Sequence, residues 1–175
     1  MGMANISIQP AGLSDLDAIV DVHSQARTAY YRAGRLLQAE IDDPGGLVHR
    51  REAWARAIES GEKTVLCALQ ADKVVGAVAM GPPLRHGADA ATVGELYQIH
   101  VLPSHWGQGV GGQLHAAFVQ FLREGQLPTG QVEAWEQNHS AQAFYTRYGW
   151  KPDGHRRPGP GHSSYIRMRL DVTAA

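Results

Sequence analysis

Apolar positions recur along the chain with two periods, and the change of period separates predicted strands from predicted helices. Short β-rich runs predict strands at Ile6–Gln9, Thr64–Leu69, Val74–Met80, Val93–Val101, Gln131–Trp135 and Tyr165–Val172. Apolar residues at helical spacing predict four helices, which begin at Ser14, near Val48, within the glycine-rich stretch before Leu114, and at Ser140. The resulting order β-α-α-β-β-β-α-β-α-β predicts a mixed α/β fold, and we expect one domain over residues 1–175.

Local signals predict where several of these elements begin and end. Ser14 predicts a helix cap, with Asp17 as the acid of a capping box. Ser140 predicts the cap of the last helix, and Gly149 predicts its end. The segment Gly154–Gly161 is rich in Pro, Gly and basic residues, so it is predicted to be a loop.

Charge and cysteine content narrow the function classes. The 175 residues carry 16 Lys and Arg against 17 Asp and Glu, so the basic excess typical of nucleic-acid binders is missing. The single cysteine, Cys67, lies in an apolar run and is predicted to be a buried thiol. None of the nine histidines has zinc-site spacing, so we predict no metal. A long apolar segment and a leader sequence are both lacking, which predicts no membrane partner and a cytoplasmic location.

The clearest chemical signal is a strand that runs into a glycine-rich turn and then directly into an amphipathic helix. The strand Val93–Val101 is followed by the turn Gly107–Gly112. Glycines allow backbone N–H groups to approach a ligand closely, and a helix N-terminus adds free N–H groups and a positive dipole end. This arrangement predicts a phosphate or pyrophosphate site. Neither a P-loop lysine nor the glycine spacing of a dinucleotide-binding turn is present.

These residues resemble the signature of the GCN5-related N-acetyltransferases, the GNAT family. In that family a strand ends in Val-x-Pro and is followed by Arg/Gln-x-x-Gly-x-Gly/Ala. Val101-x-Pro103 and Gly109-x-Gly111 match this pattern, whereas Trp106 stands where the family usually has Arg or Gln. Further along, Val132–Trp150 resembles the family's strand, Asn, and Ala-x-x-Phe-Tyr-x-x-x-Gly-Phe helix.

The resemblance implies the GNAT fold, a central mixed, twisted sheet of six to seven strands with about four flanking helices, splayed to admit coenzyme A. It implies acetyl-CoA as the acyl donor and an amine as the acceptor. The residues that it predicts to bind the coenzyme belong to the strand, the glycine-rich turn and the last helix: Ile99, His100, Val101, Trp106, Gly107, Gln108, Gly109, Val110, Gly111, Gly112, Asn138 and Tyr145.

The chemistry of transfer calls for a base and an acid. An alkylamine has a pKa of about 10.4, so its proton must be removed before it attacks a thioester. The resemblance points to Glu95 as the base and to Tyr145 as the acid beside the coenzyme sulfur, with His100 as a second candidate base. Strict alternation places Glu95 on the same strand face as Tyr97, unless a bulge intervenes. The structural alternatives are a solvent-facing acid for Glu95 and an apolar helix face for Tyr145.

The resulting hypothesis is an N-acetyltransferase that acetylates a primary amine of a small molecule or peptide by direct attack in a ternary complex. A non-catalytic acyl-CoA-binding sensor on the same fold is the alternative. Two segments are candidates for the acceptor side, although both also suit structural roles: Tyr30–Arg32 and the basic pair Arg156-Arg157. The sequence leaves open the identity of the amine, the acyl chain length, and whether the chain is a monomer or a homodimer.

Overall fold

A seven-stranded mixed sheet forms the centre of the molecule. The structure is a computed structural model that describes residues 5–85 and 87–173. The strands are β1 (Ile6–Pro10), β2 (Thr64–Gln70), β3 (Lys73–Gly81), β4 (Val93–Val101), β5 (Thr129–Trp135), β6 (Lys151–Pro158) and β7 (Ser164–Asp171). Their order is β1-β2-β3-β4-β5-β7-β6, and neighbours are antiparallel except for the parallel pair β4–β5. The predicted mixed sheet of six to seven strands is confirmed.

In the described part of the chain, five α-helices cover the two faces of this sheet. They are α1 (Leu16–Ala33), α2 (Gln38–Asp42), α3 (Gly46–Glu59), α4 (Val110–Glu124) and α5 (His139–Arg147). Helix α1 packs on β3, β4 and α3, whereas α4 packs on β3 and β4 from the opposite side. Helix α5 lies against α4, where the rings of Phe144 and His115 have centroids 5.9 Å apart. Among the described residues, no helix has the length and apolar character needed to cross a membrane.

The predicted apolar helix faces form the core between these layers. Leu16, Ile19 and Val20 of α1 are buried. On the other side of the sheet, Leu114 and Phe118 of α4 are completely inaccessible to solvent. Burial of such side chains supplies the main favourable free energy of folding, which fixes both helices against the strands between them.

Two elements differ from the sequence prediction. A strand, β6, occupies Lys151–Pro158, where the stretch from Gly154 onwards was predicted to be a loop. Its pairing with β7 is interrupted between Pro152 and Arg156, and most of its side chains are exposed. The strand therefore lacks the apolar alternation by which a sequence reveals a half-buried strand. The short helix α2 also has no counterpart among the predicted helices, since it is only five residues long.

Helix caps are the other corrections. A 3₁₀ turn at Leu13–Asp15 precedes α1, and the Asp15 carboxylate accepts the N–H of Gly12 at 2.9 Å, so the predicted Ser14 and Asp17 capping box is wrong. At α5 the cap is Asn138 rather than Ser140, because Asn138 Oδ1 accepts the N–H of Ala141 at 3.1 Å.

The sheet splits between β4 and β5. The two strands pair only from Val93 to Leu96, opposite Thr129 to Val132. Beyond Leu96, β4 keeps its partner β3 and β5 keeps its partner β7, and β4 is no longer paired with β5. This separation opens the sheet at its centre, at the end of β4 that leads toward the N-terminus of α4.

Candidate active site

A cleft of about 580 Å³ lies at the split between β4 and β5. Its walls come from α1 and α3 on one side of the sheet, from the two separated strands, and from α5 on the other side. Among the residues predicted to be functional, Glu95, Ile99, His100, Asn138 and Tyr145 line this cleft. The structure thus brings the candidate acid and both candidate bases to one cavity.

A β-bulge at Tyr97 determines which residues of β4 face this cavity. Met80 of β3 lies opposite Leu96, whereas its neighbour Ala79 lies opposite Gln98, so Tyr97 is the extra residue. A bulge shifts the alternation of side chains by one position. Glu95 therefore shares a strand face with Gln98 and His100, and not with Ile99 and Val101 as strict alternation predicts. Both candidate bases consequently point to the side of the sheet that α1 and α3 cover.

Glu95 is a buried carboxylate with a fixed orientation. Only 5% of the residue is exposed, and Oε2 accepts the backbone N–H of Leu84 at 2.6 Å. Burial raises the pKa of Glu95 above the usual carboxyl range, although the Leu84 N–H and the Gln131 side chain oppose this shift. A raised pKa brings the carboxylate nearer to the range in which it accepts and returns protons at neutral pH.

His100 is a neutral imidazole held in a stack of aromatic rings. Burial lowers the pKa of His100 to about 3. Its ring stacks on that of His23 with centroids 4.0 Å apart, and its Nε2 lies 2.6 Å from Gln98 Oε1. His23 Nδ1 accepts the indole N–H of Trp54 at 2.9 Å, which fixes that nitrogen as unprotonated. The wall of the cleft at this point is therefore uncharged.

Tyr145 reaches the cleft from the opposite side of the sheet. Its ring packs between Phe144 and Trp150, at centroid distances of 5.5 and 5.6 Å, and the residue is 5% exposed. Burial raises the pKa of the phenol, so it keeps its proton well above neutral pH. The residue thus belongs to the apolar helix face and lines the cleft at the same time.

The glycine-rich turn lies at the end of β4, outside the cleft itself. Gly109 adopts φ +84° and is the N-cap of α4, a left-handed conformation that favours glycine. A side chain at Gly112 would meet the Tyr148 hydroxyl at 2.6 Å, so the Tyr148 side chain would have to shift to accommodate a larger residue. The first amides of α4, beginning at Val110, have no carbonyl partner within the helix and are available to a ligand. The N-terminus of α4 therefore has free backbone donors of the kind that anion sites use.

Three side chains predicted to contact the coenzyme, those of Trp106, Gln108 and Asn138, already have structural partners. Trp106 donates its indole N–H to the Val101 carbonyl at 2.9 Å, which ties the turn to the end of β4. Its ring remains 49% exposed beside Gly107. Asn138 caps α5, as described above, while it also lines the cleft. Gln108 donates to the Ser104 carbonyl at 3.2 Å and holds the same turn together.

The two segments suggested for the acceptor side have different positions. Tyr30 and Tyr31 line the cleft, whereas Arg32 is exposed and is not part of its lining. Arg156 forms an ion pair with Glu136. Arg157 lines the cleft, but its guanidinium pairs with Glu133 and stacks on the Tyr165 ring at 4.2 Å.

Several residues that line the cleft were not marked by any motif, among them His23, Arg27 and Arg50. His23 and Arg27 lie one turn apart on the inner face of α1, so their spacing was a usable signal. Arg50 of α3 gave no such signal, because its position depends on how α3 packs against α1.

The chain belongs to the GNAT family of acetyltransferases. The sequence profile of the "Acetyltransferase (GNAT) family" matches residues 18–150, which include the split strands and the glycine-rich turn. No curated protein sequence matches the chain significantly.

Solved structures show the same fold at low sequence identity. The PaiA N-acetyltransferase of Thermoplasma acidophilum, in complex with coenzyme A, superposes with a TM-score of 0.78 at 16% identity, covering 96% of this chain and 99% of that one. YncA of Salmonella typhimurium, with its cofactor acetyl-CoA, gives 0.71 at 19% identity over 96% and 94%. The ribosomal-protein-S18-alanine N-acetyltransferase of Escherichia coli gives 0.69 at 19% identity over 98% and 96%.

Proposed function

We propose that this chain, acting as one domain, transfers the acetyl group of acetyl-CoA to an amine of a small molecule or peptide by direct attack. The observation that carries this proposal is that Glu95 and Tyr145 line one cleft from opposite sides of the split sheet. A carboxylate and a phenol there can accept and donate the protons that amide formation requires. Family membership supports the same class of reaction.

Residues at the end of β4 are proposed to hold the coenzyme. The open edge of β4 around Ile99–Val101 offers backbone groups to an extended ligand, as an added strand would. The amides of Gly107–Gly112 suit a pyrophosphate, and the exposed ring of Trp106 lies beside them. Two of the structural neighbours were solved with coenzyme A or acetyl-CoA, which supports this assignment. When bound, acetyl-CoA supplies an activated thioester.

Glu95 is proposed to take the proton of the acceptor amine, directly or through water. Its orientation is fixed by the Leu84 N–H, and burial raises the pKa of its carboxyl. His100 is the other candidate on the same strand face. Because burial lowers the pKa of His100 to about 3, its imidazole is a weaker proton acceptor than its ordinary pKa suggests.

Tyr145 is proposed to protonate the departing thiolate, and Tyr145→Phe tests this role. A thiol has a pKa of about 8.5, roughly 1.5 units above neutral pH, so loss of the acid is expected to lower kcat about 30-fold at pH 7. Phenylalanine keeps the ring between Phe144 and Trp150, so the fold and acetyl-CoA affinity should persist. Steady-state kinetics beside a binding titration measure both quantities. An unchanged kcat would assign Tyr145 to packing alone.

The proposal as a whole is tested by acetyl-CoA-dependent thiol release across a broad panel of amines, together with a titration of acetyl-CoA alone. Release that depends on one class of amine is the expected result, and it identifies the acceptor chemistry. Tight binding of acetyl-CoA without release on any amine would favour the non-catalytic sensor. Failure to bind acetyl-CoA would contradict both functions.

A further inference from the structure

Two arginines from different helices lie on the wall of the cleft that α1 and α3 form. Arg27 of α1 is 13% exposed and donates to the Ile41 carbonyl at 2.6 Å. Arg50 of α3 lines the same cavity, and its Nε is buried without a hydrogen-bond partner among the described residues. A buried donor of a charged group that lacks a partner costs free energy, so such a donor calls for an explanation.

The cleft contains other cations, but these already have partners. Arg85 and Arg157 both pair with Glu133, and Lys63 lies over the Tyr97 ring, 5.3 Å from its centroid. The basic pair suggested for the acceptor side, Arg156-Arg157, is thus neutralised by Glu136 and Glu133. The Arg27 and Arg50 pair is different, because within residues 5–85 and 87–173 Asp43 is the one carboxylate found to interact with it.

That carboxylate, Asp43, is a weak partner for two guanidinium groups. It is 55% exposed, and its Oδ2 lies 3.9 Å from Arg27 Nη2. Burial, followed by the neighbouring charge of Arg27, lowers the pKa of Arg50 despite the opposing effect of Asp43. Two like charges held together beside a cavity favour an anion that enters the cavity and lies between them.

The arginine pair also lies next to the candidate catalytic groups. The charges of Arg50 and Arg27 both act on His23, whose ring stacks on His100 at 4.0 Å. Tyr30 lies close enough to Arg27 and to Tyr145 for each to influence its phenol. An anionic group held by the arginines would therefore lie on the wall adjoining the residues proposed to move protons.

We propose that the acceptor of this enzyme is an amine that also carries a carboxylate, and that Arg27 and Arg50 bind this carboxylate while the amine faces Glu95. This substrate class rests on the acetyl transfer proposed above. The planar guanidinium presents paired N–H donors that match both oxygens of a carboxylate, which makes arginine well suited to such recognition. A phosphate offers similar oxygens, so the experiment includes a phosphate-bearing amine.

The test compares charged acceptors with neutral counterparts of similar size. Alanine, methionine, phenylalanine and glutamate are each assayed for thiol release beside the corresponding carboxamide, and phosphoethanolamine is assayed beside ethanolamine. The wild-type enzyme is expected to prefer an amino acid over its amide by roughly 10- to 100-fold in kcat/KM. Arg50→Met should abolish that preference, mainly by raising KM for the amino acids. Arg50→Lys should restore part of it.

Arg56→Met is the matched control, since Arg56 is an exposed arginine of the same helix whose partner is Glu52. It should leave the preference intact. The proposal is overturned if amides are used as well as amino acids, if Arg50→Met affects both equally, or if only phosphoethanolamine is accepted.

A separate measurement distinguishes failure of this proposal from failure of acetyl transfer. If no amine stimulates thiol release, calorimetric titration of the same amino acids into the enzyme saturated with coenzyme A decides the matter. Binding that is lost in Arg50→Met supports the carboxylate site, even though transfer has failed. Absence of binding to the wild-type protein contradicts the site.

Discussion

Glu95→Gln is expected to lower kcat/KM about 10³-fold at pH 7. An amine with a pKa of about 10.4 is neutral at that pH in only roughly one molecule in 2,500, so an enzyme without a base depends on this small fraction. The variant's activity should therefore rise about tenfold per pH unit and approach that of the wild type in alkali. Glutamine keeps an oxygen to accept the Leu84 N–H, which preserves the local structure.

The dependence of activity on pH provides a second test of the role of Glu95. Burial raises the pKa of Glu95, so the wild-type enzyme should lose activity as the pH falls through this raised value, while the variant lacks that step. The folded state also binds the Glu95 proton more tightly than the unfolded state, so ionisation of the carboxyl lowers stability as the pH rises. Glutamine should thus not destabilise the protein at pH 7. His100→Gln is the comparator, and a 10³-fold loss there instead would transfer the role to His100.

The protein is expected to lose stability steeply below pH 6.5, by about 6 kcal/mol at pH 5 compared with pH 7. Among the histidines that the structure describes, three are buried, with 8% of His23, 8% of His100 and 4% of His115 exposed. Burial lowers the pKa of all three, to about 3 for His100 and about 4 for His115, and the charges of His100, Arg50 and Arg27 add to the effect at His23.

The sign follows from which state binds protons. The unfolded chain takes them up near pH 6.5, whereas the folded chain does not, so this stability is present above pH 6.5 and is lost as the pH falls toward the folded-state values. Each histidine contributes about 1.4 kcal/mol per pH unit within that window. The geometry agrees, because the Trp150 indole donates to His115 Nε2 at 2.9 Å, a bond that requires an unprotonated nitrogen.

Urea denaturation at a series of pH values between 7.5 and 5 measures this dependence. For the wild type, the slope of the unfolding free energy against pH should approach the uptake of three protons on unfolding. His115→Gln should remove about one of these protons, because His115 lies on the α4 side of the sheet, away from the stacked rings of His23 and His100. If the wild-type protein takes up fewer than one proton on unfolding at pH 5, at least two of these histidines are already protonated in the folded state.

The sequence predicted the fold well because its strands and helices carry strong local patterns. β4 was predicted with its exact bounds, Val93–Val101, and α4 was predicted to begin within the glycine-rich stretch before Leu114, where Val110 begins it. β6 was not predicted, because nearly all of its side chains are exposed and it has no alternation of apolar and polar residues. The caps at Ser14 and Ser140 were misassigned because several neighbouring side chains can serve as caps, and only the backbone geometry selects one.

The candidate site was predictable only where a motif marked it. The spacing of Val101, Pro103 and Gly109 identified the glycine-rich turn, and the Phe144-Tyr145 pair identified Tyr145 as the candidate acid. The face of Glu95 was not predictable, since the bulge at Tyr97 depends on the pairing of β4 with β3. The same holds for Arg50, whose neighbours come from α1 and from the segment between the helices. Contacts between segments that are distant in the chain produce no periodic pattern in either segment, so the sequence alone does not reveal them.

The short pairing of β4 with β5 leaves the two halves of the sheet weakly connected. One sub-sheet, β1 to β4, is built from sequential antiparallel strands, and the other contains β5, β7 and β6. Only four residue pairs of ladder, Val93 to Leu96 with Thr129 to Val132, join them directly. A ligand that occupies the gap and bonds to the free edge of β4 replaces part of the missing ladder. If acetyl-CoA binds there as proposed, it would also act as a structural component, because a ligand that binds only the folded state stabilises that state.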